Sequence, residues 1–230
     1  MGTRGLLALS LAVALGACGG GDDDVQTDGP PVGDGGQGRY LPLAMGATWT
    51  YRVTDPVSGA VANKSSTVEA YEDIGGDKAG TMGFRVRTEK LDGRTVSWQA
   101  DTGTSIVRHR EQTFDLAGAM IAEEYYTPFK LRVDESPAHL MMGAAWTEAF
   151  SEKHTDMATG TTTTMKMDAW TVEAVAESVT VPAGTFSCVR LHRVGQAMGQ
   201  SDKTYWFARG VGKVKETGGQ TEELVSYSIP

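Results

Sequence analysis

The segment AMGATWT at residues 44–50 returns as MMGAAWT at 141–147, and this self-similarity constrains the fold more than any local feature does. TVEA at 67–70 returns at 171–174, and AGT at 79–81 returns at 183–185. Trp98-Gln-Ala is matched by Trp206-Phe-Ala, Gly103 ahead of SIVR by Gly212 ahead of KVK, and AEEYY from residue 122 by TEELV from residue 221. The matches keep one order, and their spacings drift as loop insertions would make them drift. They imply two tandem copies, roughly 41–133 and 138–230. Trp49 and Trp146 are then expected at equivalent buried positions, as are Trp98 and Trp206.

Within a copy the apolar pattern has a period of two. Trp49, Tyr51 and Val53 alternate with Thr48, Thr50 and Arg52, and Met82, Phe84 and Val86 alternate with Gly83, Arg85 and Arg87. That is the pattern of a half-buried antiparallel strand. Turn residues punctuate the runs, at Asp55-Pro56, Gly75-Gly76-Asp77, Asp92-Gly93, Pro182-Ala183-Gly184 and Gly218-Gly219. The expected fold is therefore all-β and mainly antiparallel, with about ten to twelve strands. Neither copy carries a complete core of its own, so the two should share one curved sheet or half-barrel, a single β-rich domain over 39–230. Helix is expected only in short pieces near 116–122 or 137–142.

The N-terminus has a different character. Arg4 precedes an apolar run from Gly5 to Ala17, which is too short for the roughly 20 residues of a bilayer-spanning helix. It has the build of a signal peptide over residues 1–17. Leu15-Gly16-Ala17-Cys18 resembles the bacterial lipobox, which implies cleavage before Cys18, a diacylglyceryl thioether on its sulfur and acylation of the new amino end, commonly with palmitate. Residues 18–38 combine that cysteine with a Gly-, Asp- and Pro-rich stretch whose composition suits a solvated tether. The acidic triplet Asp22–Asp24 belongs to the same spacer. Gly19 stands where an Asp would favour inner-membrane retention, so the expected location is the cell envelope, at the outer membrane.

Charge and motifs narrow the function. The chain carries 21 Lys and Arg against 29 Asp and Glu, a net charge of −8, which disfavours nucleic acid as a partner. With Cys18 lipidated, Cys188 has no disulfide partner, and its β-forming neighbours mark it as a buried hydrophobe. His109, His139, His154 and His192 lack zinc-motif spacing, and there is no HExxH, paired CxxC or GxSxG. No catalytic residue, metal site or cofactor is assigned. Glu123-Glu124 and Glu222-Glu223 sit in matching places of the two copies; adjacent strand residues face opposite sides, so neither pair forms a dyad, and both are expected as solvated edge residues. His139, Met141, Met142, Met165 and Met167 supply the one arrangement suited to a soft metal.

TVPAGTFSCVRL at 180–191 and YWFARGVGKVKE at 205–216 resemble a motif pair, VPAGTFxC and YWFAxGVGxVK, of uncharacterised bacterial envelope lipoproteins. YLPLAMGATWTY from residue 40 resembles their usual start. The resemblance implies a β-rich lipoprotein and brings no catalytic residue. Gly184 and Gly210 are placed to permit turns, and Tyr205, Trp206 and Phe207 to bury area on a sheet.

Together these features point to a membrane-anchored, non-enzymatic binding or scaffolding module. Its partners would be the membrane, through Cys18, and an apolar small molecule or an envelope protein. The alternatives are an envelope hydrolase of unrecognised site or a Met/His metal handler. The apolar concave face of a curved sheet needs a cover, for which REQTFDLAGAMIA (110–122) and PAHLMMGAAW (137–146) are the candidates. A ligand site beneath either would be lined by aromatics and Met, without ionisable groups.

Overall fold

A computed structural model describes residues 38–196 and 202–230. Signal residues 1–17, Cys18 and the tether up to residue 37 lie outside the described residues. Twelve strands follow one another: β1 (Thr48–Thr54), β2 (Val61–Asp73), β3 (Met82–Lys90), β4 (Gly93–Asp101), β5 (Ser105–Phe114) and β6 (Met120–Asp134), then β7 (Ala145–Asp156), β8 (Gly160–Val181), β9 (Gly184–Gly195), β10 (Lys203–Ala208), β11 (Gly212–Thr217) and β12 (Thr221–Ser228). Each pairs antiparallel with its neighbours in the chain. The last strand returns to the first, from Thr48↔Ser228 to Thr54↔Thr221, and closes the barrel.

The expected half-barrel is thus corrected to a closed one. Closure satisfies both sheet edges, which an open sheet would leave exposed. Two short 3-10 turns, Gly76–Lys78 and Pro137–Leu140, are the helical pieces among the described residues. The stretch near 116–122 is instead a turn leading into β6, so REQTFDLAGAMIA forms the β5–β6 hairpin and does not cover the sheet.

The repeated segments fall on strands in matching order. Those at 44–50 and 141–147 lead into β1 and β7, and the TVEA segments lie in β2 and β8. Trp98 lies in β4 and Trp206 in β10. Local bonding matches as well. Gly46 N–H donates to Val68 O and Val68 N–H to Ala47 O; Gly143 N–H donates to Val172 O and Val172 N–H to Ala144 O. Trp98 Nε1 donates to Glu72 and Trp206 Nε1 to Glu177. Glu72 and Glu177 also receive Arg85 and Arg190 respectively. Trp49 and Trp146 differ, since Trp49 is buried and bonded to Val211 O while Trp146 is half-buried and stacks on His139.

Antiparallel order puts alternate connections at opposite ends. One end carries the tight turns after β1, β3, β5, β7 and β11. There Asp55 accepts from the N–H groups of Val57 and Ser58, and Asp156 from those of Ala158 and Thr159. The other end is crossed by a strap, residues 38–44. Arg39 reaches Asp101, Glu135 and the carbonyl of Gly103, and its own carbonyl accepts from Gly210 N–H. Leu43 packs against both apolar clusters of the core, one around Trp49, Phe84 and Leu224 and one around Trp170, Leu191 and Phe207. No helix among the described residues is long and apolar enough to cross a membrane.

Candidate functional site

A cavity of about 390 Å³ lies inside the barrel, with Leu41 and Leu43 of the strap in its wall. Lys64, Lys90 and Gln220 line both this cavity and a second hollow of about 450 Å³ between the β1–β2 and β3–β4 turns. That shared wall marks a mouth at the end opposite the strap. The cavity wall carries eight basic side chains and three acidic ones, so its lining is cationic in a chain whose net charge is −8. The expectation of an apolar site free of ionisable groups is overturned.

One part of this charge is neutralised in place. Lys213 is held between Glu216 and Glu222, with Nζ 2.6 Å from Glu222 Oε2. Lys203 pairs with Glu216, and Lys64 lies 2.5 Å from Glu222. Burial opposes all these charges. The lysines nevertheless hold Glu216 and Glu222 far below the usual carboxylate range, and the two glutamates hold Lys213 well above the usual ammonium range. Glu222, expected as a solvated edge residue, is 1% exposed; the closed barrel turns it inward, while Glu223 faces the outer surface and pairs with Arg52 at 2.6 Å. Glu123 and Glu124 likewise separate, the first bonding Arg110 and the second His154, and both are half-buried.

The other part is neutralised only in part. Gln99, Arg108 and Lys130 stand directly opposite one another on β4, β5 and β6, and all three face the cavity. Side chains so paired have Cβ atoms about 5 Å apart, and like charges there repel. Arg108 pairs with Glu111 at 2.5 Å. Lys130 has no ion pair among the described residues and lies against the rings of Tyr126 and Phe150. Burial, then Arg108 and Arg193, push its ammonium down to about 8. Arg132, two residues on, has no ion pair among the described residues either, and its buried Nε lacks a partner. Burial, then Arg108, lower its affinity for the proton. Arg193 faces the cavity from β9 with Asp168 3.5 Å away.

The residues singled out in the sequence lie elsewhere. Cys188 is buried, and burial pushes its thiol up to about 12. His139 Nδ1 lies 2.7 Å from Asp134, and Met141, Met142, Met165 and Met167 are exposed and outside the cavity wall. Among the described residues no group of three or more His, Cys, Asp or Glu is placed to hold a metal, and the imidazoles of His139, His154 and His192 face carboxylates, not serine hydroxyls. Gly184 and Gly210 do occupy turns at positive φ, 133° and 69°. Tyr205 and Phe207 enter the core, whereas Trp206 lies over Lys215.

A family model described as DUF3108-like matches residues 111–229. No curated protein matches the chain. Among solved structures, a candidate lipoprotein from Parabacteroides distasonis is similar at 13% identity and a TM-score of 0.40, over 83% of this chain and 99% of the other. A candidate exported protein with a YmcC-like fold from Bacteroides fragilis is similar at 11% identity and a TM-score of 0.42, over 84% of this chain and 100% of the other.

Proposed function

The chain belongs to the DUF3108-like family, and from that premise we propose that it is an exported, lipid-anchored, non-enzymatic barrel that holds a small anionic molecule in its lumen. The observation that carries the binding role is Arg132, a half-buried side chain in the cavity wall whose Nε is buried without a partner and which has no ion pair among the described residues. A charge left unpaired where water is partly excluded is costly in a folded protein. Several such charges facing one hollow form a built receptor for a carboxylate or phosphate, because convergent guanidinium and ammonium groups bind those oxygens best. The volume falls within the range of small-molecule sites.

Anchoring rests on Leu15-Gly16-Ala17-Cys18, with Cys18 as the lipid-bearing residue and the outer membrane as its location. Two copies of a six-stranded unit, β1–β6 and β7–β12, account for the matching bonds around Val68 and Val172 and around Trp98 and Trp206. In the test, Cys18→Ser blocks lipidation and leaves the precursor uncut or the product soluble. That soluble protein binds inorganic phosphate or citrate in calorimetry, with an affinity that falls as salt rises, and Arg132→Met weakens binding at least tenfold. Anion binding that is absent, or unchanged in Arg132→Met, refutes the lumen as the site.

A further inference from the structure

The cationic row ends in a neutral amide. Gln99 is 5% exposed and faces the cavity directly opposite Arg108. Its Nε2 donates to Ser97 Oγ at 2.9 Å, and its Oε1 has no partner. Ser97 holds one end of the amide, so the other end is left to whatever occupies the hollow. A carboxylate or a fully ionised phosphate monoester next to Arg108 cannot satisfy a carbonyl oxygen, since its charged group brings no donor. A hydroxyl can, and because it both donates and accepts, it suits the free amide atom whichever way the amide is turned.

The rest of the wall near Gln99 has the same chemistry. Thr95 lies four residues before it on β4, and Ser66 and Thr88 share a hydrogen bond of 2.8 Å across β2 and β3. These hydroxyls lie on the side of the cavity that carries the Gln99 strand. Across β5 and β6 stand Arg108, Lys130 and Arg132. Anion receptors and hydroxyl partners are therefore side by side within one cavity.

Building on the anion-binding reading above, we propose that the lumen is a site for a polyhydroxylated anion of the sugar-acid or sugar-phosphate class, its acidic group on Arg108, Lys130 and Arg132 and a hydroxyl on Gln99. Each half of the ligand answers a group the fold leaves unpaired. A hydrophobic acid would leave the free Gln99 amide atom unbonded, and a neutral sugar would leave Arg132 uncompensated. Both omissions are costly where water is partly excluded.

Calorimetric titration of the Cys18→Ser protein with matched probes tests this. Gluconate is compared with hexanoate, which keeps the chain and carboxylate without hydroxyls, and with sorbitol, which keeps the hydroxyls without charge. At pH 8, glucose 6-phosphate is compared with glucose and with methyl phosphate, whose dianion has no hydroxyl, and the stronger of the two hydroxylated anions identifies the acidic group. The expected order puts at least one hydroxylated anion about tenfold or more above each of its partial mimics. Gln99→Leu should remove that advantage and leave hexanoate or methyl phosphate binding unchanged, while Arg132→Met should weaken all the anions. Hexanoate or methyl phosphate binding as tightly as its hydroxylated counterpart overturns the hydroxyl assignment and leaves the anion reading standing. Sorbitol or glucose binding as tightly as the anions overturns the anion reading itself, and no binding by any probe overturns both. The probe series on the unsubstituted lumen decides the matter even if Gln99→Leu fails to fold.

Discussion

Replacing Glu148 by Gln should stabilise the barrel at alkaline pH and have little effect in acid. Glu148 lies on β7 directly opposite Asp168 on β8. One of its carboxyl oxygens accepts from the backbone N–H of Leu131, while the other is buried without a partner, as is Asp168 Oδ1. Burial pushes the Glu148 carboxyl up to about 7; the Leu131 bond pulls it down, Asp168 pushes it up, and Trp170 and Lys130 pull it down. The folded state therefore holds the Glu148 proton more tightly than the unfolded chain, whose carboxyl titrates near 4.5. The corresponding stability is fully present below about pH 4.5 and is lost as pH rises through about 7. A difference of about 2.5 units at about 1.36 kcal/mol each sets the loss at about 3 kcal/mol. Gln keeps the acceptor for Leu131 and never ionises. Urea unfolding of parent and variant between pH 4.5 and 8.5 should show a gap that opens with pH, to about 3 kcal/mol in favour of Gln. Acid loosens both proteins through Glu216 and Glu222, so only the difference between them isolates Glu148. A gap that is flat with pH, or a variant less stable than the parent at pH 8, refutes the reasoning.

Gly212→Ala should cost about 2–4 kcal/mol, because a side chain at positive φ is strained and the Trp49 hydrogen bond is lost: a Cβ there would lie 2.8 Å from Trp49 Nε1, at a φ of 110°. Gly59→Ala, with positive φ and open space around it, should cost only about 1 kcal/mol, and equal losses in the two unfolding curves would discount the Trp49 contact. The Cys188 thiol, buried and pushed up to about 12, should resist a thiol-reactive dye at pH 8 until denaturant opens the barrel; rapid labelling of the native protein would contradict its burial.

The strand content was legible because residues such as Trp49, Tyr51 and Phe84 alternate with polar ones, and a pleated backbone turns that alternation into two faces. Closure was not legible. It depends on β1 meeting β12 across the whole chain, a pairing that no local period encodes. The misjudged lining has the same origin. Polar positions were assigned to solvent and apolar ones to the interior, yet in β6 Lys130 and Arg132 line the cavity while Leu131 and Val133 join an apolar cluster. A barrel has room inside for charge as well as for core. The available signal was the pair of basic residues in FKLRV, at alternate positions on a strand with no acidic residue between them. Glu222 was misplaced for the related reason that one of its partners, Lys64 on β2, lies 158 residues away and meets it only when β1 and β12 close the barrel.

The strap gives the molecule a direction. Gly38 and Arg39 are fastened at the end away from the mouth, so the proposed anchor at Cys18 would join the barrel at its base, as a stem joins a cup. On that proposal the mouth would be free to open to the aqueous compartment, and the cup would exchange its contents with molecules dissolved there and not with lipids of the supporting leaflet.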